Sequence, residues 1–277
     1  MKYLIVADSS ADLATRRIEN VKSVPLKIIT DAKEYVDDKK LNAEIMVNEL
    51  ENYKGRSSSS CPNQSDWLET FGDAQYVFCV TITSGLSGSY NTACMAKKEY
   101  EEKYPDRKVF VVDSLSTGPE MFLIVEKILE MIASESDFES ICESIGKYQQ
   151  TTGLLFMLES MKNLANNGRV SPLVAKLAGI LGIRVIGKAS DVGTLEQVDK
   201  CRGQAKALQS IVTNMKELGY RGGKVKIAHC INHSGAGTLA DLIKKEFSNA
   251  GVEIYPCRGL CSFYAERGGL LVGFEKA

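Results

Sequence analysis

The sequence of 277 residues carries almost no net charge, at −1, and contains only two histidines. Without an excess of positive charge or a run of lysines and arginines, it lacks the electrostatic surface typical of nucleic-acid binding. No apolar run approaches the roughly 20 residues that a membrane-spanning helix needs. The start, MKYLIVADSS, turns acidic too soon for a secretory signal. We therefore expect a cytoplasmic protein that binds no nucleic acid and makes no stable membrane insertion.

The sequence also lacks the spacings of a metal site or a disulfide framework. His229 and His233 are four residues apart, but a strand end and the turn after it do not place them on one helical face. The eight cysteines are scattered, and none has the paired spacing of zinc sites. We expect neither a metal nor another cofactor, and we interpret the cysteines as small hydrophobes in a reducing compartment.

What is present is the composition of a globular protein, with 44% hydrophobic and 25% charged residues. In the first half, apolar strands alternate with helical patterns, and polar turns follow the strands. This order predicts a parallel α/β sheet, whose ligands gather at the carboxyl ends of its strands. The second half has its own alternation, so we predict two lobes, residues 1–158 and 159–277, each a sheet flanked by helices.

Several single segments carry more specific expectations. Residues 24–29 predict one strand, residues 172–181 an apolar helix and residues 260–264 a short turn, and we expect Arg202 to open a helix. A further group of apolar side chains fits either a tunnel wall or an ordinary core. These are Leu154, Leu155, Phe156, Met157, Leu173, Leu177, Ile180 and Leu181.

The most informative stretch is residues 76–93, YVFCVTITSGLSGSYNTA. An apolar strand ends in a turn rich in glycine and hydroxyl groups, and a helical pattern begins directly after it. Free backbone N–H groups and the positive end of a helix dipole suit an oxyanion at such a place. Residues 81–89 carry five hydroxyls, whereas capping one helix, for which Ser87 is a candidate, needs only one or two.

A second hydroxyl cluster consists of the four serines at residues 57–60, followed by Cys61 and Pro62. A flexible linker is one interpretation of such a run. The other is a second anion cradle, because Pro62 suits the first turn of a helix predicted over residues 64–71.

Catalytic and nucleotide motifs are incomplete. Residues 85–89, GLSGS, miss the spacing of the G-x-S-x-G nucleophile elbow by one residue, and only the two histidines offer a base. Gly235 and Gly237 lack the third glycine of a dinucleotide-binding motif. The residues therefore favour a carboxylate held by hydroxyls and backbone N–H groups.

Six motifs follow one another along the chain: DSSADL at 8–13, SSCP at 59–62, TSGLSGSY at 83–90, VVDS at 111–114, NGRV at 167–170 and DKCRG at 199–203. With these motifs, the chain resembles the DegV family of bacterial fatty-acid-binding proteins over essentially its full length. It departs from the family at residues 262–269, SFYAERGG, where many members have His-x-Gly-Pro-Gly. It also has serine where the family usually shows threonine in the first hydroxyl loop.

The resemblance implies a carrier, not an enzyme, that holds a long-chain fatty acid between two α/β lobes, with the C-terminal lobe closing over the acyl tail. Such a carrier presents the carboxylate to a separate fatty-acid kinase, which makes an acyl phosphate for phospholipid synthesis. The implied carboxylate contacts are Ser59, Ser60, Thr83 and Ser84, and the candidate head-group or partner contacts are Arg169, Arg202, Tyr264 and Glu266. The alternatives are a hydrolase or acyl-processing enzyme that uses a strand-end serine, and a regulatory binder of another amphiphile.

Overall fold

The computed structural model describes residues 2–171 and 182–277, so the helix predicted over residues 172–181 lies outside the described residues. The strands are β1 (Tyr3–Asp8), β2 (Val21–Val24), β3 (Lys27–Thr30), β4 (Glu34–Val36), β5 (Ser57–Ser60), β6 (Tyr76–Thr81), β7 (Lys108–Asp113), β8 (Thr152–Leu158), β9 (Ile183–Ala189), β10 (Leu195–Arg202), β11 (Gly223–His229), β12 (Ala250–Pro256) and β13 (Leu270–Glu275). The helices are α1 (Ala43–Asn52), α2 (Gln64–Phe71), α3 (Ser89–Lys103), α4 (Pro119–Ala133), α5 (Phe138–Tyr148), α6 (Lys162–Asn166), α7 (Gln204–Glu217), α8 (His233–Glu246) and α9 (Gly259–Ala265). Short 3-10 helices follow β1 (Ser9–Ala11) and α5 (Gln149–Thr151).

A parallel sheet in the order β2-β1-β6-β7 forms the centre of the first half. Its central strands are nearly continuous apolar runs because helices cover both faces of the sheet. Helices α2 and α3 pack over one face around Trp67 and Phe71, and α4 packs over the other. The predicted α/β class and the parallel sheet of the first half are confirmed.

A mixed sheet in the order β10-β9-β8-β13-β11-β12 forms the second half. Only β11 and β12 are parallel neighbours among these described strands, and helices α7 and α8 cover one face. Helix α4 lies between this sheet and the parallel sheet, in contact with strands of both. Its residues 119–125 are therefore all buried, as expected for a helix enclosed on more than one side.

A small antiparallel sheet in the order β4-β3-β5 completes the described fold. Helix α9 packs against β3, α1 and the first 3-10 helix, so the C-terminal part of the chain contacts the N-terminal part here. Within the described residues, no helix is long and apolar enough to cross a membrane.

Three interpretations of the region before α2 are wrong. Residues 24–29 form two strands in different sheets, because Pro25 interrupts the strand pattern between β2 and β3. The serines at 57–60 are not a linker, since they form β5 and pair with β3 in an antiparallel register that sets Ser59 opposite Ile28. Pro62 also lies before the helix rather than in its first turn, because Asn63 is the N-cap of α2.

Two more expectations in the second half are corrected. Arg202 ends β10 instead of opening a helix, and Gly203, with φ of 86°, turns the chain into α7. Residues 260–264 lie in helix α9, not in a short turn.

Strand β8 pairs with β9 and β13, so residues 152–158 lie in the second sheet although the predicted boundary places them in the first lobe. The division at residues 158 and 159 stays a prediction.

Candidate functional site

A central cavity of about 260 Å³ lies where the carboxyl ends of β6 and β7 face the mixed sheet and helix α9. We use the name central cavity for this space. Its wall is mostly apolar and includes Leu26, Ile82, Leu154, Phe156, Leu195 and Leu271. A concave space with such a wall fits an extended apolar ligand.

Strand alternation decides which of the predicted tunnel residues reach the central cavity. Leu154 and Phe156 line it, whereas Leu155 and Met157 pack into the core between the mixed sheet and helices α7 and α8. Successive side chains of a strand point to opposite faces, so a run of apolar residues serves both sides. The other four predicted tunnel residues, at 173, 177, 180 and 181, lie outside the described residues.

Polar groups gather in one part of the wall, which we call the polar end: Ser59, Ser60, Ser87, Arg169 and Tyr264. The Ser59 and Tyr264 hydroxyl oxygens are 2.6 Å apart, although 205 residues separate them in sequence. The Arg169 guanidinium carbon lies 5.9 Å from the centre of the Tyr264 ring. The polar end therefore joins the first hydroxyl loop, the NGRV motif and helix α9 at one place.

Arg169 is the cation of this polar end. Its Nε donates to the Leu86 carbonyl at 3.2 Å and its Nη1 to the Asn167 carbonyl, and these bonds hold it beside the glycine-rich loop. Across residues 2–171 and 182–277, no carboxylate lies within ion-pair distance of it. A half-buried guanidinium without a carboxylate favours an anionic ligand.

Tyr264 supplies a neutral hydroxyl to the polar end. Burial raises the pKa of Tyr264, while the hydrogen bond with Ser59 and the charge of Arg169 oppose the rise. The phenol is therefore protonated near neutral pH and can donate a hydrogen bond. Tyr264 lies in residues 262–269, the segment that departs from the His-x-Gly-Pro-Gly motif of the DegV resemblance.

Two buried acids of the N-terminal half hold the start of α9 and so position Tyr264. Asp37 accepts from the backbone N–H groups of Gly259 at 2.7 Å and Leu260 at 2.8 Å. Asp12 accepts from the N–H of Arg258 at 2.7 Å. Burial raises the pKa of Asp37, and it raises the pKa of Asp12 to about 8.

Thr83 and Ser84 lie outside the wall of the central cavity. The Thr83 hydroxyl is buried and donates to the Gly193 carbonyl at 2.9 Å, so it ties the loop after β6 to the β9–β10 turn. Ser84 is exposed, and its backbone N–H donates to Asp113. Contact of these two residues with a ligand carboxylate stays a prediction, and this geometry does not support it.

Two further hydroxyls of residues 81–89 have partners inside the protein. Thr81 donates to the Val112 carbonyl at 3.2 Å, and Ser89 donates to the buried Asp8 at 2.6 Å. The first bond joins β6 to β7, and the second joins the start of α3 to the end of β1. Ser87, first considered as a helix cap, instead lines the central cavity, and the N-cap of α3 is Gly88.

Arg202 and Glu266 also lie away from the cavity wall. Arg202 is exposed at the end of β10. Glu266 follows α9 with a φ of 53°, and its Oε1 accepts from the N–H of Asn163 at 3.0 Å, which links α9 to α6. Burial raises the pKa of Glu266. Their proposed contacts with a head group or a partner stay predictions.

Within the described residues, the histidines and cysteines form no catalytic or metal centre. The rings of His229 and His233 are 5.5 Å apart, and in the described ranges neither bonds a serine hydroxyl. No group of three or more His, Cys, Asp or Glu able to hold a metal occurs in this part of the chain. All eight cysteines fall inside the described residues and are free.

A family model described as an uncharacterised protein of the DegV family matches residues 2–276. The chain belongs to the DegV family. A DegV domain-containing protein of Streptococcus pneumoniae strain R6 is 42% identical over 279 aligned positions, which cover 99% of each chain.

Two solved DegV-family structures share the fold closely. One, from Eubacterium eligens and loaded with heptadecanoic acid, is 46% identical with a TM-score of 0.97, covering 99% of this chain and 100% of that one. The other, the Streptococcus pneumoniae Fatty Acid Kinase (Fak) B3 protein loaded with linoleic acid, is 41% identical with a TM-score of 0.97 and full coverage of both chains. The DegV resemblance inferred from six motifs is confirmed.

Proposed function

We propose that this chain binds one long-chain fatty acid, with the acyl tail in the central cavity and the carboxylate at the polar end. The observation that carries the proposal is a mostly apolar cavity whose wall contains an arginine with no carboxylate partner among the described residues. Two structural relatives loaded with fatty acids support the same ligand class.

The energetics of such a ligand fit the two parts of the cavity. Each buried methylene contributes about 0.8 kcal/mol of transfer free energy, so the tail supplies most of the affinity. The carboxylate loses water and regains charge-assisted hydrogen bonds from Arg169, with neutral donors from Tyr264, Ser59 and Ser60. The head group thus sets orientation and selects against neutral lipids.

We further propose that the protein is a carrier which presents the carboxylate to a separate fatty-acid kinase in the cytoplasm. The relative named after fatty acid kinase supports this partner. The exposed Arg202 offers a charge for an acidic surface of the kinase, away from the cavity wall. A hydrolase finds less support, because in the described part of the chain no histidine contacts a serine hydroxyl.

The ligand is tested by extraction of the purified protein with organic solvent and mass spectrometry, followed by titration of the stripped protein with stearic acid. We expect about one fatty acid per chain and displacement by added fatty acid. Recovery of only nucleotides or sugars from a folded sample, with no response to stearic acid, would refute the proposed ligand.

The kinase role is tested with the loaded protein, a fatty-acid kinase from the same organism and ATP. Arg202→Ala should lower acyl-phosphate formation while fatty-acid affinity stays within about twofold, because a charge outside the cavity has little effect on a buried tail. Arg17→Ala, which removes another exposed arginine, is the matched control. Equal turnover of the wild type and both variants would remove Arg202 from the kinase contact.

A further inference from the structure

The mostly apolar wall of the central cavity contains a polar spot away from the polar end. Thr117 and Cys261 both line the cavity, and the Thr117 hydroxyl oxygen lies 3.7 Å from the Cys261 sulfur. The Cys261 thiol donates to the Ser10 carbonyl at 3.2 Å. In the described ranges, this sulfur is the one hydrogen-bonding contact of the Thr117 side chain, and sulfur is a weak acceptor.

A buried acid lies directly behind this spot. The Asp12 side chain is 2% exposed, and its Oδ2 makes no hydrogen bond of ordinary geometry in the part of the chain that the structure describes, although the Cys261 thiol is its neighbour. Oδ2 lies 3.8 Å from the place where a side-chain carbon would stand at Gly118. The Cys261 sulfur lies 3.5 Å from that place and Leu271, a wall residue, 3.2 Å from it. Gly118, with φ of 52°, therefore leaves the acid and the thiol close to the wall.

The protonation of Asp12 suits this arrangement. Burial raises the pKa of Asp12 to about 8, so the acid is mostly neutral at neutral pH. A neutral carboxyl donates a hydrogen bond, whereas a carboxylate only accepts. The polar spot thus has a threonine hydroxyl at the wall and a further donor behind it.

Under the proposed function, the spot faces the interior of the acyl chain and not its head group. Cys261 precedes Tyr264 by three residues on α9, which is about 4.5 Å along the helix axis. A tail that starts at the polar end therefore passes Thr117 several carbons from its carboxylate.

We propose that the central cavity accepts long-chain fatty acids that carry a hydroxyl on an interior carbon, and that Thr117 and Cys261 recognise this hydroxyl. The inference rests on the proposed function and deepens it, since it names a class of fatty acid. A hydroxyl in an apolar tunnel loses its hydrogen bonds to water, and that loss is costly unless the wall replaces them. Thr117 supplies one donor and two acceptor positions at the wall. An unsubstituted tail leaves the Thr117 hydroxyl with only the sulfur.

The test measures the affinity of stripped protein for stearic acid and for octadecanoic acids with one hydroxyl at successive even carbons. In the wild type, we expect one interior position to bind at least as tightly as stearic acid. Thr117→Val keeps the side-chain shape and removes the hydroxyl. It should lower the ratio of hydroxy-acid to stearic-acid affinity about threefold to tenfold at that position. Thr117→Ser, which keeps a hydroxyl, should restore the ratio.

Three other outcomes would contradict the proposed recognition of a hydroxyl by Thr117 and Cys261. If every hydroxy acid binds far more weakly than stearic acid to the wild type, the cavity rejects this class and the inference is wrong. If Thr117→Val lowers both affinities by the same factor, Thr117 contributes shape and does not recognise a hydroxyl. If stearic acid itself fails to bind, the proposed function falls, and this inference falls with it.

Discussion

Replacing Arg169 by glutamine tests the proposed head-group site most directly. The change removes the positive charge at the polar end and retains a side chain that can donate hydrogen bonds. A hydrogen bond to a charged group contributes about 1.5–3 kcal/mol, so fatty-acid affinity should fall about tenfold to a hundredfold. No acid of the described chain pairs with Arg169, so its removal leaves no orphaned carboxylate in the free protein.

The assay is calorimetric titration of stripped wild type and Arg169→Gln with stearic acid and with stearyl alcohol. Stearyl alcohol has the same tail without the charge, so its affinity should change by less than about threefold. Arg202→Gln makes the same chemical change at an exposed position off the cavity, and it should leave both affinities within about twofold.

The comparison of acid and alcohol guards against a merely structural effect. Arg169 also donates to the carbonyls of Leu86 and Asn167, so its loss can loosen the wall. A looser wall would weaken the acid and the alcohol alike. An equal loss for both ligands, or no loss for the acid, would refute the assignment of the carboxylate to Arg169.

Two further predictions concern the hydroxyl network and the buried acid. Tyr264→Phe removes the partner of Ser59 at the polar end and should weaken stearic acid about threefold to tenfold with little effect on the fold; unchanged affinity in the same titration would exclude Tyr264 from the head-group site. Asp12 has a pKa of about 8 in the folded state, above its ordinary unfolded value of about 4. Between these two pH values the folded protein holds a proton on Asp12 that the unfolded chain has lost. Asp12 therefore lowers the free energy of unfolding as pH rises from about 4 to 8, by at most about 1.4 kcal/mol per pH unit. Asp12→Asn keeps an acceptor for the Arg258 N–H, and its side chain tolerates the positive φ of this position. Urea unfolding at several pH values should show that the free energy of unfolding of the variant increases relative to that of the wild type as pH rises. Parallel plots of this free energy against pH for the two proteins would contradict the prediction.

The local pattern of the chain accounts for most of the elements. Apolar runs such as residues 76–82 predicted buried strands because side-chain hydrophobicity and branching act within a few residues. The order of six motifs pointed to the DegV family, and the family model confirms it. The prediction of one strand over residues 24–29 was wrong because a proline inside an apolar run interrupts strand pairing.

Part of the predicted set of site residues lines one cavity, and contact of these residues with a ligand stays a prediction. Ser59, Ser60, Arg169 and Tyr264 were named from the sequence, and the structure brings all four to one wall. Sequence reasoning missed Thr117, Cys261 and Leu195 as wall residues. A hydroxyl within a strand-end turn was the available signal for Thr117, but nothing local separates a wall residue from a turn residue.

The sequence by itself determined the class of the fold, the family and the presence of hydroxyl-rich turns, since each depends on residue types at short spacing. Tertiary structure alone decided which hydroxyls face the cavity. The Thr83 hydroxyl donates to the Gly193 carbonyl and the Ser89 hydroxyl donates to Asp8, and both acceptors come from distant parts of the chain. The contact between Ser59 and Tyr264 likewise depends on the position of α9, whose start is held by acids of the first half. Hydrogen-bond partners far apart in sequence cannot be assigned from local pattern, because either group is satisfied equally well by water until the chain folds.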